Sequence, residues 1–378
     1  MTGFHTMFST LGKLALATTL AAGALVAPAV AAAPFDQAMS IVSDPKALAT
    51  RSGEAEQLFR QCLSGAPDNV EGWFNLGLLL ERKGDLAGAR DAYQKALGVK
   101  ADYLPAQARI AGLDLAAGNT AALDKLEAII KEDAFQAEAR NILAEYALAQ
   151  GDYAKAILHS RNVLVGDPRN VNASLNAAIA YYRQGLIDQA GLIATSALEK
   201  EPNAAALHNI MGLVYLSKDD TRSATEQFTA ALDGDPNNMD ALLNLAALEL
   251  AYGNFESALK HFDQALKIRP RDAGVVLSRG VALRGLERFD EAQAAYEQAL
   301  TLKPGFIDAE YNLCVLNHQF KSDWAQAKRW CSTYLGHIDA ANPKYKEVQK
   351  RLKAAEATLK ILQEKTGPGA GGGTAPAP

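Results

Sequence analysis

Apolar and small residues recur along this chain at helical spacing, in paired segments joined by polar turns. In "WFNLGLLLERKGDLAGARDAYQKAL", Trp73, Leu76, Gly77 and Leu80 lie three and four residues apart. After the turn at Gly84, so do Ala89, Tyr93 and Ala96. Each set shares one helical face. The pairs keep a fixed beat. Pro168, Pro202, Pro236, Pro270 and Pro304 stand 34 residues apart. A small residue precedes each by 12 positions: Ala156, Ala190, Ala224, Ala258 and Ala292. An aromatic or small residue precedes each by 8: Ser160, Ala194, Phe228, Phe262 and Tyr296. Gly or Asp ends the first helix of a pair, and proline ends the second. One helix pair cannot bury its own apolar face, so neighbouring pairs must stack.

This period and pattern resemble the tetratricopeptide repeat. In that family, counting from 1, position 4 is Trp or another large residue. Position 7 is Leu, 8 is Gly or Ala, 11 is Tyr, 20 is Ala, 24 is aromatic, 27 is Ala and 32 is Pro. "NIMGLVYLSKDDTRSATEQFTAALDGDP" fits with Met211, Gly212, Tyr215, Ala224, Phe228, Ala231 and Pro236. Repeats are placed at Val70, Leu104, Ala137, Val171, Ala205, Met239, Ala273 and Ile307. The second lacks one residue and carries Ala134 where proline is expected. Ala55, Phe59, Cys62 and Pro67 mark an earlier partial repeat, whose first helix runs from about Phe35 to Leu48 across an awkward Asp44-Pro45. The resemblance implies an all-α, right-handed α-solenoid over residues 35–342. Val348, Leu352, Ala355, Leu359 and Leu362 recur at helical spacing, which predicts a capping helix over 343–365.

The chain ends differ from this frame. Lys13 precedes the apolar run "LALATTLAAGALVAPAVA" and an A-x-A site, the pattern of a secretory signal peptide over 1–31, cleaved after residue 31 or 32. Residues 366–378, "TGPGAGGGTAPAP", are Gly, Pro and Ala with no means to build a core, and read as a disordered tail. Loss of Lys13 with the leader moves the net charge from −5 to −6. That argues against nucleic-acid partners, and no later stretch is apolar enough to span a bilayer, so no membrane insertion is expected after cleavage. The expected location is the periplasm, or the periphery of the outer membrane.

No phosphate loop, G-x-G-x-x-G or H-E-x-x-H occurs, and the six histidines are scattered. A non-enzymatic scaffold without cofactor or metal is expected. In the resembled family, the first helix of each repeat lines a groove through positions 2, 5, 9, 12 and 13. The resemblance assigns that role here to Phe74, Leu78, Asn141, Glu145, Leu175, Ile179, Tyr182, Arg183, Asn209 and Leu213. In the later repeats it assigns Leu243, Leu277, Arg284, Tyr311, Val315 and His318. Such a mostly aliphatic stripe suits a peptide, with Asn left for its main chain. A basic carboxylate clamp is not expected, because Arg183 and Arg284 lie several repeats apart.

In the repeat frame, Cys314 takes position 8. With one extra residue in the turn "KSDW", Cys331 takes position 24. Both face the seam between paired helices, which in an exported chain favours a disulfide. A metal site using Cys314, His318, Cys331 and His337 fits less well, since position 12 points His318 at the groove. Cys62 is expected to stay unpaired. The stretch holding Cys314, "HQF", Cys331, "NPKY" and "VQKRLKAAEATLK" resembles the end of exported repeat proteins of the myxobacterial gliding-motility machinery. That implies protein partners in an envelope motility or transport complex. A pilus, secretin or polysaccharide-export assembly factor is the alternative.

Overall fold

A computed structural model of the chain describes residues 32–366. The expected leader at 1–31 and the expected tail beyond Thr366 lie outside the described residues. Backbone contacts divide the chain into two units, 1–241 and 242–378. Among the described residues the regular structure is entirely helical.

Each of the eight expected repeat starts is the first residue of a helix, from Val70–Arg82 to Ile307–Val315. The turn chemistry explains why the helices pair. Position 15 has positive φ in every repeat. It is glycine at Gly84, Gly118, Gly151, Gly185 and Gly253, but Asp219, Glu287 and Ser322 elsewhere. This left-handed residue reverses the chain at the end of the first helix. In four repeats the next residue is an aspartate whose side chain caps the second helix. Asp85, Asp152, Asp220 and Asp323 accept hydrogen bonds from the backbone N–H of Gly88, Lys155, Ser223 and Gln326.

The seam inside a pair is set by positions 8 and 24. A Cβ added to Gly77 would stand 2.3 Å from the Tyr93 ring, and one on Gly212 would stand 2.4 Å from Phe228. Glycine therefore lets a fully buried aromatic lie against the first helix. In the last repeat the same two positions hold Cys314 and Cys331. They are both fully buried and joined by a disulfide, with Cα atoms 4.8 Å apart. Cys62 is free and buried.

Three local details differ from expectation. The helix Ala32–Ser43 stops before Pro45 instead of reaching Leu48, and Asp44 caps a new helix, Pro45–Gly65. Proline cannot continue the first helix but suits the first turn of the second. The extra residue of the last repeat lies in a π turn, Leu316–Phe320, ahead of "KSDW". The Asp323 N–H there reaches back to the Asn317 carbonyl, one residue further than Asp85 to Leu80. The terminal helix spans Tyr345–Thr366. It seats Val348 and Leu352 against Cys314, Cys331 and Tyr334.

Candidate functional site

Within the first unit, the first helices of repeats two to five each touch the next: 104–116, 137–149, 171–183 and 205–217. Second helices of successive repeats make at most marginal contact. The first-helix side is thus the more crowded side. At the far ends of this unit, Arg82 comes within 3.8 Å of Asp235, in the turn after repeat five.

The expected groove residues divide by burial. Phe74, Leu78, Asn141, Asn209 and Leu213 are buried between helices, so packing uses them. Phe74 lies 5.6 Å from both the Tyr93 and Tyr103 rings. Glu145, Leu175, Ile179 and Tyr182 are half-buried, and Arg183 is exposed. Leu175, Ile179 and Tyr182 follow one another at spacings of four and three, so they form a file along one helix. The Tyr182 hydroxyl accepts a hydrogen bond from Ser217 in the next repeat, at 3.1 Å.

In the second unit, Leu243, Leu277 and Arg284 are half-buried. Arg284 donates to Asn312 at 2.9 Å and stacks over Phe320. The last three expected residues are taken by the chain itself. The Tyr311 hydroxyl donates to Glu347, and Lys344 stands 3.9 Å over its ring. Arg351 reaches His318 at 3.3 Å, and Val315 is buried. The terminal segment thus engages Tyr311 and His318, which stay half-buried, where the expectation left them open for a partner. Burial, with the positive Arg351 beside it, lowers the His318 pKa.

A polar cluster unites the first helices of repeats one to three. Glu138, Asn141 and Glu145 recur at three and four residues on one helix face. Arg109, on the neighbouring first helix, is 5% exposed, and Glu138, Glu81 and Glu145 all act on its charge. Glu81 accepts a hydrogen bond from the Tyr93 hydroxyl at 2.5 Å. Glu145 keeps some surface open. Even so, burial pushes its carboxyl up to about 7. Arg109 and the nearby Asn176 amide oppose that rise, and Glu81 and Glu138 add to it.

Arg109 and Asn176 were not among the expected residues. Both occupy position 6, which is also polar at Asn75, Asn244, Ser278 and Asn312. That 34-residue recurrence was the available signal. Among the described residues, no group of three or more His, Cys, Asp or Glu is arranged to hold a metal. None of their helices is long and apolar enough to cross a membrane.

Family models described as "Tetratricopeptide repeat" match residues 49–105, 116–159, 147–214, 215–277 and 273–306. Together these span well over half of the chain. Among solved structures, the APC/C hetero-tetramer Cut9–Hcn1 aligns with TM-score 0.62 at 16% identity, over 86% of this chain and 64% of that one. That likeness shows the fold. A tetratricopeptide repeat protein from Parabacteroides merdae aligns at TM-score 0.43 and 17% identity, over 67% of this chain and 98% of that one. YrrB, described as a TPR protein with an unusual peptide-binding site, gives 0.38 and 18%, over 50% and 96%. No curated protein sequence matches the chain significantly. Repeats of this kind mark a protein–protein interaction scaffold.

Proposed function

We propose that this chain, which belongs to the tetratricopeptide-repeat family, binds an extended peptide segment of a protein partner on the first-helix face of its first unit. The observation that carries this reading is the half-buried file Leu175, Ile179 and Tyr182, beside a polar cluster on the adjoining first helix. Apolar side chains with spare surface, next to amide and carboxylate groups, match a segment that alternates buried side chains with a polar backbone. The buried members of the expected stripe hold the helices in register and so shape this face.

The place we propose for it is the bacterial cell envelope, in a multiprotein complex of the motility or transport kind. Two observations support export: the leader-like first 31 residues and a disulfide, which persists in an oxidising compartment. Affinity purification from the native envelope tests the face. Leu175→Glu and Ile179→Glu are expected to lose the partner recovered by the wild-type chain. Leu158→Glu, on the exposed side of a second helix, is expected to keep it. Retention by all three folded variants would reject the face as the binding surface.

A further inference from the structure

The polar cluster is built in a way that packing alone does not explain. Three carboxylates, Glu81, Glu138 and Glu145, act on the charge of one buried guanidinium, Arg109. Among the described residues, no ion pair or hydrogen bond joins Arg109 to them, and its buried Nε–H has no partner. Asn141 is 4% exposed and donates to Asn170 at 3.2 Å, yet its own Oδ1 accepts nothing. A structural ion cluster normally closes its hydrogen bonds, because an unpaired buried polar atom is costly. Here two donors, Arg109 Nε–H and the Asn176 amide, and one acceptor, Asn141 Oδ1, stay open beside surplus negative charge.

We infer that Glu81, Arg109, Glu138, Asn141 and Glu145 form a recognition subsite for a lysine or arginine side chain carried by an extended peptide. The inference rests on the reading that this face binds peptide, and it adds the chemistry of one residue in that peptide. An ammonium or guanidinium supplies the cation that three carboxylates against one arginine lack. The subsite adjoins the file of Leu175, Ile179 and Tyr182, so one segment can engage both. A metal ion is the poorer occupant, because the acidic groups are not arranged to ligate one.

Titration of Glu145 supplies a signature. Its carboxyl, faced by Arg109, Glu81, Glu138 and Asn176, holds a proton up to about 7. An arriving cation stabilises the ionised form and expels that proton. Binding near neutral pH therefore releases protons.

The test uses the full mature chain and three fluorescein-labelled peptides of alternating leucine and serine, with a central lysine, norleucine or glutamate. Anisotropy at pH 7.5 is expected to show the lysine peptide bound about 10-fold tighter than the norleucine peptide, and the glutamate peptide weakest. Calorimetry at pH 7 in phosphate and in Tris is expected to show proton release with the lysine peptide alone. Glu145→Gln is expected to abolish that release. Glu138→Gln, a second variant in case the first folds poorly, is expected to cut the lysine preference several-fold. Equal binding of the lysine and norleucine peptides overturns the inference and leaves the face reading intact. So does undiminished proton release by folded Glu145→Gln. No binding by any of the three peptides overturns both.

Discussion

Alanine in place of Gly212 asks whether the seam between paired helices is as tight as the geometry implies. The added Cβ would stand 2.4, 2.6 and 2.8 Å from Cε1, Cδ1 and Cζ of Phe228. Ordinary carbon contacts lie near 3.5–4.0 Å, so about 1 Å of separation must open. Phe228 is fully buried and cannot swing into solvent. The helix pair 205–217 and 221–234 must therefore part. Overpacking of this kind costs about 1–3 kcal/mol. Alanine returns up to about 1 kcal/mol of helix propensity, so the expected net loss is about 1–2 kcal/mol. Repeat six carries Ala246 and Phe262 at the same positions. A seam can thus be built for alanine, and the penalty is for forcing it into one built for glycine. Repeat two pairs Ala111 with Leu126, both buried. The double variant Gly212→Ala, Phe228→Leu copies that pair, so its loss should fall about 1 kcal/mol short of the sum of the singles. Gly98→Ala is the reference. Nothing lies within 4 Å of its Cβ, and it should stabilise by about 0.5–1 kcal/mol. Guanidinium denaturation followed by circular dichroism gives the size. Hydrogen exchange across 205–234 gives the place, which matters because repeat arrays can unfold in parts. A Gly212→Ala chain as stable as wild type, or strict additivity in the double variant, would refute the reasoning.

Glu145→Gln should change the pH dependence of stability. A carboxyl near 7 when folded and near 4.5 when unfolded takes up a proton on folding, so stability falls as pH rises from about 4.5 to about 7 and then levels. The full effect is about 3 kcal/mol, and partial solvent access reduces it to about 1–2 kcal/mol. The glutamine chain should match wild type below pH 4 and exceed it by that amount at pH 8 in thermal melts. Glu287 holds φ 61°, where five other repeats have glycine. Glu287→Gly should therefore gain up to about 1 kcal/mol in the same melts, through relief of left-handed strain. Removing the disulfide with Cys314→Ala and Cys331→Ala should cost about 3 kcal/mol in the loop-entropy account, with exchange protection lost first in 307–336. Thiol titration of the denatured, unreduced wild-type chain should find Cys62 alone.

Most of the fold was legible because a 34-residue period repeats its evidence many times. Helix starts fell on the expected residues even in the degenerate second repeat, where Ala134 replaces proline and its carbonyl accepts from Arg140 Nε. The pairing of Cys314 with Cys331 was legible for the same reason. Their positions are those of Gly77 and Tyr93, where the chain must come close. That a terminal helix caps the last pair was legible; how far its contacts extend was not. Its apolar stripe announces a buried face without saying which surface receives it, and that surface proved to include Tyr311 and His318. Of the expected groove residues, the sequence could not separate those that pack from those that face outward. Leu213 and Ile179 share position 9, yet only Leu213 is buried. The difference lies in neighbouring helices that a repeat consensus does not encode.

The central claim is that partners bind on the first-helix face. Photocrosslinking in the native envelope tests it most directly, with benzoylphenylalanine placed once at Ile179 and once at Leu192, which is 70% exposed on a second helix. The account predicts one discrete partner adduct from position 179, abolished by Leu175→Glu in the same chain, and none from position 192. An adduct from position 192 that survives Leu175→Glu, with position 179 silent, would contradict it.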